Sequence, residues 1–136
     1  MNKTKLLMAV LMASLLAFGS GCVAVVVGAA AVTGYAYVKG EIEATEPTSL
    51  TQAWDASLAA MQDLKFTVMN RTKDALEGEI KARDAKDTTI KIQLKYVSKN
   101  STKIQIRAGT FGDEARSQII LGKIREHLQT QSGSWL

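Results

Sequence analysis

The chain has 136 residues, 46% apolar and 22% charged, with 17 Lys and Arg against 13 Asp and Glu. That length holds one domain, and a mean hydropathy of zero excludes both a polytopic membrane protein and an acidic disordered chain. One Cys and one His exclude an internal disulfide framework, a Cys-cluster zinc site and chemistry built on several histidines.

Charge is unevenly placed. Between Lys5 and Lys39 lie 33 residues with no charge at all. Residues 1–21 have the three parts of an export signal. Lys3 and Lys5 make a positive start, residues 6–18 an apolar stretch, and Gly19-Ser20-Gly21 a small-residue stretch that fits a narrow peptidase groove. Cys22 follows directly. Gly19-Ser20-Gly21-Cys22 resembles a bacterial lipobox, with Gly19 standing where an aliphatic residue is usual. The resemblance implies that residues 1–21 are removed and that Cys22 carries diacylglycerol on its sulfur. Val23 after the Cys favours the outer membrane by the same resemblance. Two or more acyl chains make a stable tether, at about 0.8 kcal/mol per buried methylene. Without lipid, a lone Cys is usually a small buried hydrophobe.

Residues 23–33, VAVVVGAAAVT, are uncharged but too short to span a bilayer, which takes about 20 residues. They are expected to form an apolar leader between lipid and domain. Uncleaved, residues 6–38 would be long enough to span.

From Gly34 the pattern becomes that of a folded domain, residues 34–130, with a frayed tail at 131–136. Tyr35, Tyr37, Lys39, Glu41 and Glu43 alternate with Ala36, Val38, Gly40, Ile42 and Ala44, which predicts one half-buried strand ended by Pro47. Ser49 and Gln52 resemble a capping box. Leu50, Ala53, Trp54, Leu58 and Met61 then follow helical spacing over residues 49–63. Four period-two runs come next. They place Phe66 and Val68, then Leu76, Gly78, Ile80 and Ala82, then Ile90, Ile92, Leu94 and Tyr96, then Ile104, Ile106 and Ala108 inward. The links between them carry Asp, Asn and Ser turn chemistry. A last helix is expected over 113–129, capped by Asp113, with Ala115, Ile119, Ile120, Ile124 and Leu128 on its apolar face. The order β-α-β-β-β-β-α with short links predicts an α+β two-layer sandwich. Its sheet is five-stranded and mainly antiparallel, with two helices on one face.

The outer sheet face should present mixed charge. Lys91, Lys95, Lys103 and Arg107 would centre a docking surface for an envelope protein or an anionic glycan or lipid, if that face is more than a solvated one. Glu41 with Glu43 and Glu77 with Glu79 could divide acid and base work but have cationic neighbours. His127 stands alone near a helix end. Gly109-Thr110-Phe111-Gly112-Asp113 could cradle an anion at a helix start. The simpler reading is a tight turn with Phe111 as an apolar plug. Tyr35 and Tyr37 suit either a membrane interface or shielding of the first strand. No P-loop, dinucleotide fingerprint, nucleophile elbow or metal cluster is present, so no cofactor is expected. The small net charge and the inward placement of Tyr96 argue against a nucleic-acid partner.

Several runs together resemble a small family of bacterial lipoproteins known only as a domain of unknown function. They are Gly34-Tyr35-Ala36-Tyr37-Val38-Lys39-Gly40-Glu41, Trp54-Asp55, Asp74-Ala75-Leu76-Glu77-Gly78 and Arg107-Ala108-Gly109-Thr110-Phe111-Gly112-Asp113-Glu114. That resemblance implies lipoprotein status and an envelope location, and brings no activity. The expectation is a non-catalytic, lipid-anchored envelope module of structural or interaction type. Its partner is the membrane, through Cys22. The alternatives are an uncleaved, signal-anchored inner-membrane protein and an envelope hydrolase using surface carboxylates.

Overall fold

The computed structural model describes residues 3–5, 7–8 and 35–133. Residues 3–5 and 7–8 are helical. The lipobox expectation at Gly19, Ser20, Gly21 and Cys22, the leader at 23–33 and residues 134–136 lie outside the described residues.

From Tyr35 the chain forms β1 (Ala36–Val38), β2 (Glu41–Glu46), α1 (Leu50–Asp63), β3 (Thr67–Lys73), β4 (Glu77–Arg83), β5 (Thr89–Ser98), β6 (Ser101–Ala108) and α2 (Glu114–Gly133). The strands make one antiparallel sheet in the order β1-β2-β6-β5-β4-β3. The class is the expected α+β sandwich, but the sheet has six strands rather than five.

The sixth strand comes from a turn that the alternation conceals. Lys39 and Gly40 have φ of 51° and 83°, and Val38 stands opposite Glu41. Positive φ at both central residues makes a type I′ turn, whose twist matches the flanking strands. The turn also reverses parity. Tyr37 pairs with Ile42 and so shares the helix side of the sheet, while Val38 shares the outer side with Glu41.

Helix α1 starts where Ser49 and Gln52 complete the capping box, and its inner face carries Ala53, Ala56, Ala60 and Met61, all fully buried. It ends in a Schellman motif. The Phe66 N–H donates to Met61 O at 2.9 Å and the Lys65 N–H to Gln62 O at 3.0 Å. Lys65 takes the left-handed position, with φ of 58°. Trp54 lies over β4, where a Cβ on Gly78 would come within 2.8 Å of its ring. Only a bare backbone admits the indole there.

Helix α2 begins as expected. The Asp113 carboxylate accepts the Arg116 N–H at 3.0 Å. Its buried face is Ser117, Ile120, Leu121 and Ile124. Ala115 and Ile119, expected inside, are exposed. The helix runs on to Gly133, into the segment expected to fray.

Between the layers sit Ile42, Ile80, Ile90, Ile92, Leu94, Ile104, Ile106, Ile120 and Ile124. Each such side chain contributes about 1.5–3 kcal/mol by leaving water. Leu76 and Tyr96 were expected in this core and are 61% and 45% exposed. Both lie past the stretch that the helices cover.

Candidate functional site

Register arranges the outer sheet face in three rows. The middle row runs Glu43, Gln105, Gln93, Glu79 across β2, β6, β5 and β4. Arg107, Lys91 and Lys81 form the row on one side, and Lys103, Lys95 and Glu77 the row on the other. The glutamines tie the middle row together. Gln105 Nε2 donates to Glu43 at 2.6 Å and Gln93 Nε2 to Glu79 at 3.3 Å. Cations then close on the carboxylates: Lys103 on Glu43 at 3.9 Å, Arg107 on Glu41 at 3.5 Å, and Lys81 and Lys91 on Glu79 at 3.2 and 3.5 Å. The Lys81 ammonium, backed by Lys91, holds Glu79 below the usual carboxylate range.

The structure therefore brings Lys91, Lys95, Lys103 and Arg107 onto one face, and three of them stand beside a glutamate. Exposed pairs of this kind contribute about 0.2–1 kcal/mol each. Their positive charge is largely answered within the sheet. Lys95 differs: its neighbours in register are Lys103 and Glu77.

A second site lies where two sequence runs meet. The Lys39-Gly40 turn abuts the loop after β6, with a Cβ on Gly40 falling 2.7 Å from Phe111 O. Arg107 donates to Lys39 O at 2.5 Å and fixes the same turn. The Tyr35 hydroxyl donates to Glu114 at 2.9 Å and accepts from Gln118. That bond to a carboxylate raises the tyrosine above its ordinary value. Tyr35 thus shields α2 rather than standing free. Phe111 corrects the expectation of a plug: it is 94% exposed, at the tip of a loop held by Gly109 and Gly112 at φ of 77° and 82°.

Three long-range polar contacts, two of them ion pairs, join distant elements and escaped sequence reasoning. Glu46, 6% exposed, accepts from Arg125 at 2.7 Å and joins β2 to α2. Asp84 accepts the N–H groups of Thr88 and Lys86 at 2.8 Å and pairs with Arg116 at 2.5 Å. Those donors, Thr88 foremost, hold it below the usual carboxylate range. His127 Nε2 meets Asp63 at 2.7 Å between the helices. The partners lie 79, 32 and 64 residues apart, so no local pattern announces them. Among the described residues, no group of three His, Cys, Asp or Glu side chains is placed to hold a metal.

A family model described as a protein of unknown function (DUF3568) matches residues 5–127. The chain belongs to that family. The match takes in both the Tyr35–Glu41 run and the Gly109–Glu114 run. No curated protein matches the chain. The family's description carries no activity, so none transfers to the residues described above.

Proposed function

We propose that this member of the DUF3568 family is a lipid-anchored protein of the bacterial envelope whose domain works by binding rather than catalysis. The observation that carries this is the N-terminal run: two lysines, an uncharged apolar stretch, Gly19-Ser20-Gly21 and then Cys22. The family match begins at residue 5, so it takes in Lys5, the apolar stretch and Cys22 rather than starting at the folded domain. On this reading residues 1–21 are cleaved and Cys22 becomes the N-terminus, carrying acyl chains that hold the domain at the membrane, the outer one being favoured. A binding role is supported by the carboxylates. Glu41, Glu43 and Glu79 face cations, and His127 is engaged by Asp63.

Gly19 favours a second reading, an uncleaved signal anchor. Residues 36–38 belong to β1, so the span would have to fall within residues 6–34. That is still long enough to cross a bilayer, which takes about 20 residues.

Growth of the native bacterium with a clickable palmitate analogue decides between them. Label on wild type, none on Cys22→Ala, and a mass lacking residues 1–21 is the expected result. No label with a full-length mass overturns the lipid anchor and leaves the membrane span.

A further inference from the structure

We propose that the β5–β6 hairpin end of the domain rests on a lipid surface with anionic headgroups, through Leu76, Tyr96 and Val97 and the lysines Lys73, Lys95 and Lys99. This rests on the membrane-anchored reading above.

The apolar part is built by the backbone. The Tyr96 N–H donates to Leu76 O at 2.8 Å, which sets these two residues side by side. The ladder to β6 skips Val97, between Tyr96 and Ser98. Leu76, Tyr96 and Val97 are 61%, 45% and 54% exposed. Charged side chains flank them. Lys73, Tyr96 and Lys99 line one shallow hollow beside the first turn of α1 together with Asp74, and Lys73 and Lys95 share the neighbouring one with Asp74, Glu77 and Glu79. Among the described residues, no carboxylate stands within 4 Å of these three ammonium groups, and Lys73 reaches the Thr51 hydroxyl at 3.3 Å. Asp74 turns one carboxylate oxygen to the N–H groups of Leu76 and Glu77. This end therefore combines uncovered apolar area with three cations that are held in no ion pair among the described residues, Asp74 and Glu77 being the carboxylates beside them.

Two arguments select a lipid surface. The first is chemical. Long lysine stems let ammonium groups reach headgroups while aliphatic and tyrosine side chains enter the boundary beneath. The second is the direction of the chain. β2 runs antiparallel to β6, so it heads towards the Lys99-Asn100 turn, and β1 runs opposite to β2. β1 therefore runs away from the hairpin end, beginning at Ala36 opposite Glu43, and the residues before it in sequence are the uncharged leader. Phe111 and the Lys39-Gly40 turn occupy the other end.

The test uses the full chain, purified from membranes and reconstituted in vesicles. Acylated Cys22 has no free thiol, so Val97→Cys and Leu76→Cys each offer one site for an NBD fluorophore. In phosphatidylcholine with phosphatidylglycerol, both labels should shift to the blue and be quenched by doxyl lipid. Each lysine near an anionic surface is worth roughly a five-fold change in the equilibrium, so Lys73→Gln/Lys95→Gln/Lys99→Gln should weaken docking roughly a hundred-fold. Phosphatidylcholine alone should leave both labels water-like, as should a label at Phe111→Cys in any vesicle. Water-like emission at 76 and 97 on anionic vesicles overturns the proposal, and so does burial of the label at 111 instead. The mass of the Cys22 peptide judges the lipid anchor independently. If Cys22 proves unmodified, the same labels in a Cys22→Ala background still read the docking.

Discussion

Gly112 lies so close to Gly40 that a Cβ on it would fall 2.5 Å from the Gly40 Cα and overlap the Gly40 carbonyl oxygen. The neighbour is backbone, so nothing flexible can give way. Gly112 also has φ of 82°, where a side chain costs about 1–2 kcal/mol before any clash. Overlap in a close-packed contact adds about 1–3 kcal/mol. Gly112→Ala should therefore lose about 3 kcal/mol in urea unfolding. Gly122→Ala is the opposite case. It sits in α2 with nothing within 4 Å of a new Cβ, and should gain about 0.5–1 kcal/mol.

Lys65 closes α1 in a conformation that glycine adopts freely, with φ of 58°. Its side chain is not needed for the two backbone bonds of the Schellman motif. Lys65→Gly should raise stability by up to about 1 kcal/mol, because relief of the left-handed strain exceeds the added freedom of the unfolded chain. Lys65→Val should lose stability at the same site. Thermal melts of the three proteins check the order Gly, Lys, Val.

The Glu46–Arg125 pair should behave as a buried one, since the Glu46 side chain is 8% exposed. Arg125→Met leaves a carboxylate in the core without this partner, at a cost of about 3–5 kcal/mol. Glu46→Met combined with Arg125→Met should recover most of that loss. A double-mutant cycle by chemical denaturation measures the coupling. Additive single effects would show that the pair does not join β2 to α2 energetically.

Acid should unfold the domain through Asp74, Asp84 and Glu79. Backbone N–H groups of Leu76 and Glu77 lower Asp74, those of Thr88 and Lys86 lower Asp84, and Lys81 lowers Glu79. A carboxylate that ionises more readily in the folded state stabilises it above the unfolded pKa. These groups start from ordinary values of 3.8, 3.8 and 4.5. Their contribution is complete above that range and disappears as pH falls through the depressed folded values. Melting temperature should be flat from neutral pH to about 5 and fall steeply below 4. Asp84→Asn should melt lower at neutral pH and show a shallower fall in acid.

Much of this architecture was legible because burial follows alternation. Ile80, Ile90, Ile92, Ile104 and Ile106 sit inside as their parity predicts, and Ser49 with Gln52 marks the start of α1. The hairpin at Lys39-Gly40 was missed because even-numbered apolar residues continue straight through it. The Gly after Lys was the one local sign of a type I′ turn. Leu76 and Tyr96 keep the right parity, but parity says nothing about where a covering helix stops. Ile119 was placed by its chemistry, whereas the face of α2 is fixed by the spacing of Ser117, Ile120, Leu121 and Ile124. The compensation of the outer face was hidden because it depends on strand order. Glu43 and Lys103 come together only once β2 lies beside β6.

The two margins of the sheet are both short of material for another strand. β1 is three residues long. At the far margin the ladder of β3 slips between Val68 and Asn70, so its longest regular run is Asn70 to Lys73. A straight margin is a template on which a neighbouring molecule can zip, and interruptions of this kind remove it. On the lipid-anchored reading proposed above, confinement to a leaflet would raise the frequency of sideways collisions far above that in bulk solution. A sheet with these margins could then be crowded in two dimensions without growing into a ribbon.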